Sequence, residues 1–303
     1  MVAFDITPNF WMGYHEEAAY ASGGHAATAL EEEALEAGEV LAIDRVIACD
    51  VTYASPDRDE QFDLGSGLYP SYIKDLKTKP GVITLVCYMQ SDDFYDYSIT
   101  PSAIGSLGTS LTLHIDNGII EQDFFGCVVK EWVGESIPGT PTKQTITFLF
   151  RDQGDGEAIT KVVYNTGAIS VHSNVSATID GKTSANLVVQ SLTQTITNEL
   201  DEEGYMLGDA KIIYPVLLSR TVDIVIEYKS RDSNTWGAGT NAVATADELI
   251  TVTYFDADLV WMTTLTSAMT NIWLVETNSG VRDEHGVIKH SATFKSGVGH
   301  TLA

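Results

Sequence analysis

A chain of 303 residues with 44% hydrophobic content and a mean hydropathy of +0.01 can bury more than one core, which excludes a disordered acidic polymer. Its 42 acidic against 17 basic residues give a net charge of −25, a field that repels nucleic acid and argues against a DNA-binding role. No apolar run reaches the roughly 20 residues of a membrane helix, and residues 1–14 lack the basic-then-apolar order of a secretion signal, so cytoplasmic synthesis without membrane insertion is expected. The acidity itself fits a solubility-biased surface or a salty cytoplasm as well as any particular function.

Taken in chain order, residues 1–39 read as an N-terminal arm with one short helical candidate at 27–37, where Leu30 and Leu35 sit among glutamates. Beyond it the chain reads as mainly β. Segments 46–53, 82–89, 111–115, 145–150, 187–197, 222–228 and 250–255 are rich in Val, Ile, Thr and Tyr. Thr193, Thr195 and Thr197 fall on one face, with Leu192 and Ile196 on the other. Turns are expected at Asp116-Asn117-Gly118, Asp180-Gly181 and Asn278-Ser279-Gly280.

The order of features repeats. VIACDVTYA from Val46 lines up with VQSLTQTIT from Val189 at a spacing of 143, and Leu64-Gly65 meets Leu207-Gly208 at the same spacing. Tyr69-Pro70 meets Tyr214-Pro215, and the strand from Val82 meets the strand from Val222 at a spacing of 140. Further on, LTLHIDNG is set against WLVETNSG, and GCVVK against HGVIK. The expected organisation is two tandem β-domains of sandwich or barrel type, 40–156 and 157–303, with few short helices.

Catalytic signatures are missing: there is no GxSxG elbow, phosphate-binding glycine loop or HExxH helix. No catalytic, cofactor-binding or metal residues are therefore assigned, and no cofactor is expected. Asp57, Asp59 and Asp63 lack the glycine and the terminal glutamate of a calcium loop and read as a solvated acidic loop. The odd set Cys49, Cys87 and Cys127 suits buried free thiols. Trp132, Trp236, Trp261 and Trp273 suit core or interface packing.

The segment ATIDGKTSANLVVQSLTQTITNELDEEGYMLG, followed by IIYPVLLSRTVDIVIEYKSRD, resembles the major tail tube proteins of long-tailed, siphovirus-like viruses of bacteria and archaea. The positions carrying the resemblance are Val189, Ser191, Ile196, Asn198, Leu200, Arg220 and Val222. Gly13, Glu16, Glu17 and LTLHIDNGIIEQDFFGCVVKEW are similar to the same family's early Gly-Glu-Glu stretch and hairpin. The resemblance implies a non-enzymatic virion protein of the tail, whose inner sheet lines a tube. Its partners would be further copies of itself, a trimeric ring of pseudo-six-fold symmetry stacked into the tube, with terminator and tape-measure proteins. Viral DNA would pass along the lumen without specific binding.

Two loops, 55–69 and 199–214, are then expected to make the contacts between rings, through Phe62, Leu64, Leu68, Tyr69, Tyr205, Met206, Leu207, Ile212, Ile213 and Tyr214. The competing readings are a carbohydrate- or receptor-binding β-sandwich module and another tail ring such as a terminator or hub.

Overall fold

The computed structural model describes residues 2–3, 10–17, 20, 40–43, 45–61, 72–90, 93–101, 103–155, 169–179, 187–203, 215–230, 248–254, 265–282 and 288–302. The protein is mainly β. Its elements begin with β1 (Val2–Ala3), β2 (Trp11–Glu16), β3 (Leu41–Ala42), β4 (Val46–Thr52), β5 (Ser55–Gln61), β6 (Tyr72–Lys79) and β7 (Gly81–Tyr88). After helix α1 (Asp93–Ile99) come β8 (Leu111–Asp116), β9 (Glu121–Ser136), β10 (Lys143–Phe150) and β11 (Asp152–Asp155). The chain continues through β12 (Val175–Ile179), β13 (Leu187–Leu200), β14 (Leu217–Ser230), β15 (Glu248–Tyr254), β16 (Leu265–Arg282) and β17 (Ile288–Leu302). The helical candidate at 27–37 lies outside the described residues.

All strands but β5 and β6 join one connected antiparallel sheet. Alternation explains the strands: Ile83, Leu85 and Cys87 of β7 are buried while Val82, Thr84 and Val86 between them are half-buried. Met12, Tyr14, Leu113 and Ile115 of β2 and β8 share one core with Ile83, Leu85, Ile146 and Phe148, and with Val222, Ile224, Val252 and Tyr254 farther along. The helix α1 forms where Phe94, Tyr95 and Ser98 can be buried against that core, and it stops just before Thr100-Pro101, where proline cannot continue it.

Strand pairing repeats along the sheet. β4 pairs β7, β7 pairs β10 and β10 pairs β9; then β13 pairs β14, β14 pairs β17 and β17 pairs β16. The far halves of the long strands repeat as well, since β9 leads to β8 and β2 as β16 leads to β15 and β12. The bulges recur at matching places. Ile47 drops out of the β4 ladder between Val46 and Ala48, as Gln190 drops out of β13 between Val189 and Ser191. Lys130 has no partner where Thr147 and Phe148 meet Glu131 and Val129, and Val275 none where Thr293 and Phe294 meet Glu276 and Leu274. The step from Leu111–Cys127 to Leu113–Phe124 is matched by that from Glu248–Ile272 to Ile250–Met269. Bulges are specific devices for re-aiming strands, so three in register are informative.

The bulges correct several sequence expectations. Ile47 and Gln190 stand 143 apart, as the β4 and β13 segments were aligned, but their hairpin partners Cys87 and Tyr228 stand 141 apart rather than 140. Setting Val82 on Val222 therefore places a half-buried residue on a buried one, a slip that inverts every side chain. WLVETNSG lies in β16, which takes the place of β9 rather than of β8, and HGVIK runs into β17, which takes the place of β10 rather than of β9. Asn278 and Ser279 form no turn; they lie in β16 opposite Ser291 and His290. Asp116-Asn117-Gly118 does turn, with Gly118 at φ 81° and the Asn117 carboxamide accepting from the Ile119 and Ile120 amides. Asp180-Gly181 lies outside the described residues.

The loop expected at 55–69 is half strand. Its first seven residues are β5, paired with β6 so that Asp57 stands opposite Lys77, Arg58 opposite Asp75 and Asp59 opposite Lys74.

The two pairing series meet where β9 pairs β13, over Glu131–Thr197 to Ser136–Leu192. Gly134 lies there between two buried glutamines, Gln144 on β10 and Gln194 on β13. Trp132 Nε1 donates to Gln144 Oε1 at 3.2 Å, and Tyr254 donates its hydroxyl to Gln194 Oε1 at 3.3 Å. A Cβ on Gly134 would lie 2.5 Å from Trp132 Cη2 and 3.0 Å from the Tyr254 hydroxyl. Since the indole is wholly buried and cannot swing away, Gly134→Ala is expected to destabilise the protein by about 1–3 kcal/mol, seen as a lower urea midpoint at unchanged slope.

Candidate functional site

All ten residues assigned to ring contacts, Phe62, Leu64, Leu68, Tyr69, Tyr205, Met206, Leu207, Ile212, Ile213 and Tyr214, lie outside the described residues. Of the second expected loop, Glu199 and Leu200 belong to β13, and Asp201 to Glu203 form a turn. Trp132 is fully buried, whereas Trp236 and Trp261 lie outside the described residues.

The feature with the greatest extent is the face of the main sheet turned away from the core. Adjacent strands line up Thr84, Thr147, Glu131, Thr197 and Thr221 in one row, and Val86, Thr145, Val133, Thr195, Asp223 and Lys295 in the next. Threonine suits such a face because its β-branch favours the strand while its hydroxyl stays hydrated. The charged residues there include Asp50, Glu131, Glu135, Glu199, Asp223, Glu227 and Glu276 against Lys143, Lys229 and Lys295, with Lys289 at a position of the same parity on β17. Lys143 stands opposite Glu135, and Lys295 Nζ lies 3.7 Å from Asp223. The described part of this face is therefore hydroxyl-rich and acidic, with no arginine on it. None of its described residues forms a metal-ligating group.

Next to the seam between β9 and β13, side chains of β13 and β14 hold α1 in place. Asn198 and Arg220 face each other across the hairpin. Arg220 donates Nε to Asn198 Oδ1 at 2.7 Å, Nη1 to the Ile99 carbonyl at 2.8 Å and Nη2 to the Pro101 carbonyl at 2.8 Å. Asn198 Nδ2 donates to the carbonyls of Ser98 and Val129. A cation at a helix C-terminus meets unsatisfied carbonyls and the negative end of the dipole, so the fork fixes the helix end twice over. Burial pulls the Arg220 pKa below its usual value, and the guanidinium stays charged. The resemblance had marked both residues, but nothing in the local sequence ties them to a helix about a hundred positions earlier.

The second polar cluster lies between β2, β8 and β9. His114 Nδ1 is 2.6 Å from Asp123 Oδ1, and His114 Nε2 is 3.0 Å from His15 Nδ1. The carboxylate can only accept, so His114 donates Nδ1–H to it; with both rings neutral, the other His114 nitrogen accepts from His15 Nδ1. His15 Nε2 is then a buried lone pair without a protein partner among the described residues. A proton added there would be an unsatisfied buried donor. Burial, with His114 close by, accordingly lowers the His15 pKa to about 4, against a partial opposing pull from Asp123. Glu17, which accepts from the Gly126 amide at 2.8 Å, is pushed up by burial. Its second oxygen has no hydrogen-bond partner in the described set. Cys49, Cys87 and Cys127 are free and buried, and burial raises each thiol, Cys49 and Cys87 to about 12.

The described sheet thus has one packed face and one face turned away from the core, rich in threonine and carboxylates. Residues 15–272 match the phage tail tube protein family, and the chain belongs to that family. No match is found among curated proteins. Membership gives the chain a structural role in the virion tail, where such proteins assemble with copies of themselves and with other tail proteins.

Arg220→Lys keeps the charge but loses the fork; a stability loss of about 1–3 kcal/mol is expected, with faster amide exchange in α1 as its local signature. His15 sets a pH dependence. Its folded pKa is depressed, so the unfolded chain takes up the proton first: stability is full above pH 6.5, falls towards pH 4 and levels off below. The loss amounts to about 3 kcal/mol at most, and Glu17, being raised, titrates in the opposite sense. In His15→Gln the urea midpoint is expected to change much less between pH 7 and pH 4 than in the wild type.

Proposed function

We propose that the protein polymerises into stacked rings that form the wall of the tail tube, with the open face of the main sheet turned to the lumen through which viral DNA passes. The observation that carries this reading is the composition of that face. DNA sliding along a wall is held back by lysine and arginine contacts to phosphate, and a surface of threonine hydroxyls and excess carboxylates offers few.

We further infer that 40–156 and 157–303 are diverged copies of one unit, following an arm at 1–39. The repeated pairing order and the three matched bulges support this, since bulge positions are independent of the Thr-rich composition that makes unrelated strands look alike. Two units per chain make a ring of three chains pseudo-six-fold, a closed arrangement of repeated head-to-tail contacts. Contacts between rings fall to residues 62–69 and 205–214, and the tube ends meet terminator and tape-measure proteins.

Electron microscopy of the purified chain tests the reading: rings or tubes with about six-fold averages are expected, and a protein that stays monomeric at high concentration would refute it. Deleting 205–208 is expected to leave folded, soluble protein that forms no tubes, because the core strands are untouched. Tubes of normal length from that deletion would move the inter-ring contact elsewhere.

A further inference from the structure

The seam between β9 and β13 has an open counterpart at the ends of the sheet. By the bulge correspondence, β16 stands for β9 with a spacing of 145, and β4 stands for β13 with a spacing of 143. The edge of β9 that binds β13 spans 131–136, and it corresponds to 276–281 of β16. Among the described residues no strand pairs with that edge of β16. The six residues of β13 in the seam, 192–197, correspond to 49–54 of β4 and the two residues after it. That edge is occupied, because β1 pairs with it through Val2–Val51 and Ala3–Asp50.

Resting on the ring reading above, we propose that β1 is a removable edge strand. It sits on the part of β4 that pairs with β16 of a second copy, and ring closure displaces it. Three observations support the assignment. β1 lies on the same side of β4 as β9 lies of β13, opposite the hairpin partner. It falls inside the span that the seam predicts. Among the described residues its ladder has two residue pairs, against six in the seam, so a second copy that reproduces the seam outcompetes it. An uncovered strand edge is a template for any passing strand, and a short cover protects the free chain while yielding to the right partner. The register follows from the seam: Val133–Thr195 within the chain becomes Asn278 of one copy against Thr52 of the next.

Facing strand residues are close enough for a disulfide, which gives the test. Ala3→Cys with Asp50→Cys locks β1 down when oxidised, and assembly is expected to slow by about tenfold or more and to recover on reduction. Val2→Pro with Ala3→Pro removes the ladder donors without any cross-link and is expected to speed assembly. Thr52→Cys with Asn278→Cys is expected to give chains linked to one another. A locked chain that assembles at the wild-type rate, or a wild type that assembles while the Thr52/Asn278 pair gives no intermolecular bond, overturns the inference and leaves the tube reading standing. If the wild type forms no assembly at all, both fall together.

Discussion

The pairing of β9 with β13 is the contact on which the rest of the molecule depends, because among the described strands it alone carries the sheet from one pairing series into the other. It works through a row of three residues on the packed face. Glycine at the centre leaves room for the Trp132 indole, and the glutamines on either side each accept one hydrogen bond from a buried aromatic donor. Buried carboxamides are tolerable only when so satisfied. Tyr95 of α1 packs edge-on against the same indole at 5.3 Å, so the helix, the seam and β15 share one aromatic cluster.

On the proposal that the two halves are diverged copies of one unit, the repeated bulges say what divergence can alter. Ile47 corresponds to Gln190 and Lys130 to Val275, and neither pair is chemically alike. A bulged residue is out of the ladder, so its side chain is free to change while the backbone kink it creates must stay where the strand turns. The pair Ile83–Phe148, by contrast, has the near-identical counterpart Ile224–Phe294, all four residues being wholly buried. Packing holds identity in the core, and geometry holds position at the kink.

Much of this was legible in the sequence where side-chain alternation carries the signal. The segments 46–53, 82–89, 111–115, 145–150, 187–197, 222–228 and 250–255 overlap β4, β7, β8, β10, β13, β14 and β15, because one face of each must be apolar. Three kinds of feature were not legible. Asn278-Ser279-Gly280 has turn chemistry, yet β17 supplies ladder partners for Asn278 and Ser279 and tertiary pairing overrides propensity. β5 is so polar that it reads as loop, yet its backbone pairs with β6 in the antiparallel register. α1 has seven residues, too few to display a helical period. The Arg220 fork is invisible for a different reason: its acceptors are carbonyls 119 and 121 positions away, which carry no side-chain signature. The proposed ring contacts at 62–69 and 205–214 rest on the sequence alone.

The three cysteines matter for how the protein meets thiol-directed reagents. Thiolate is the reactive form of cysteine, and thiols enclosed in the core with raised pKa values stay protonated and out of reach at neutral pH. The native chain therefore presents a chemically silent background to oxidants and thiol-directed reagents. A dye, spin label or cross-linker placed at one introduced surface cysteine would report from that position alone.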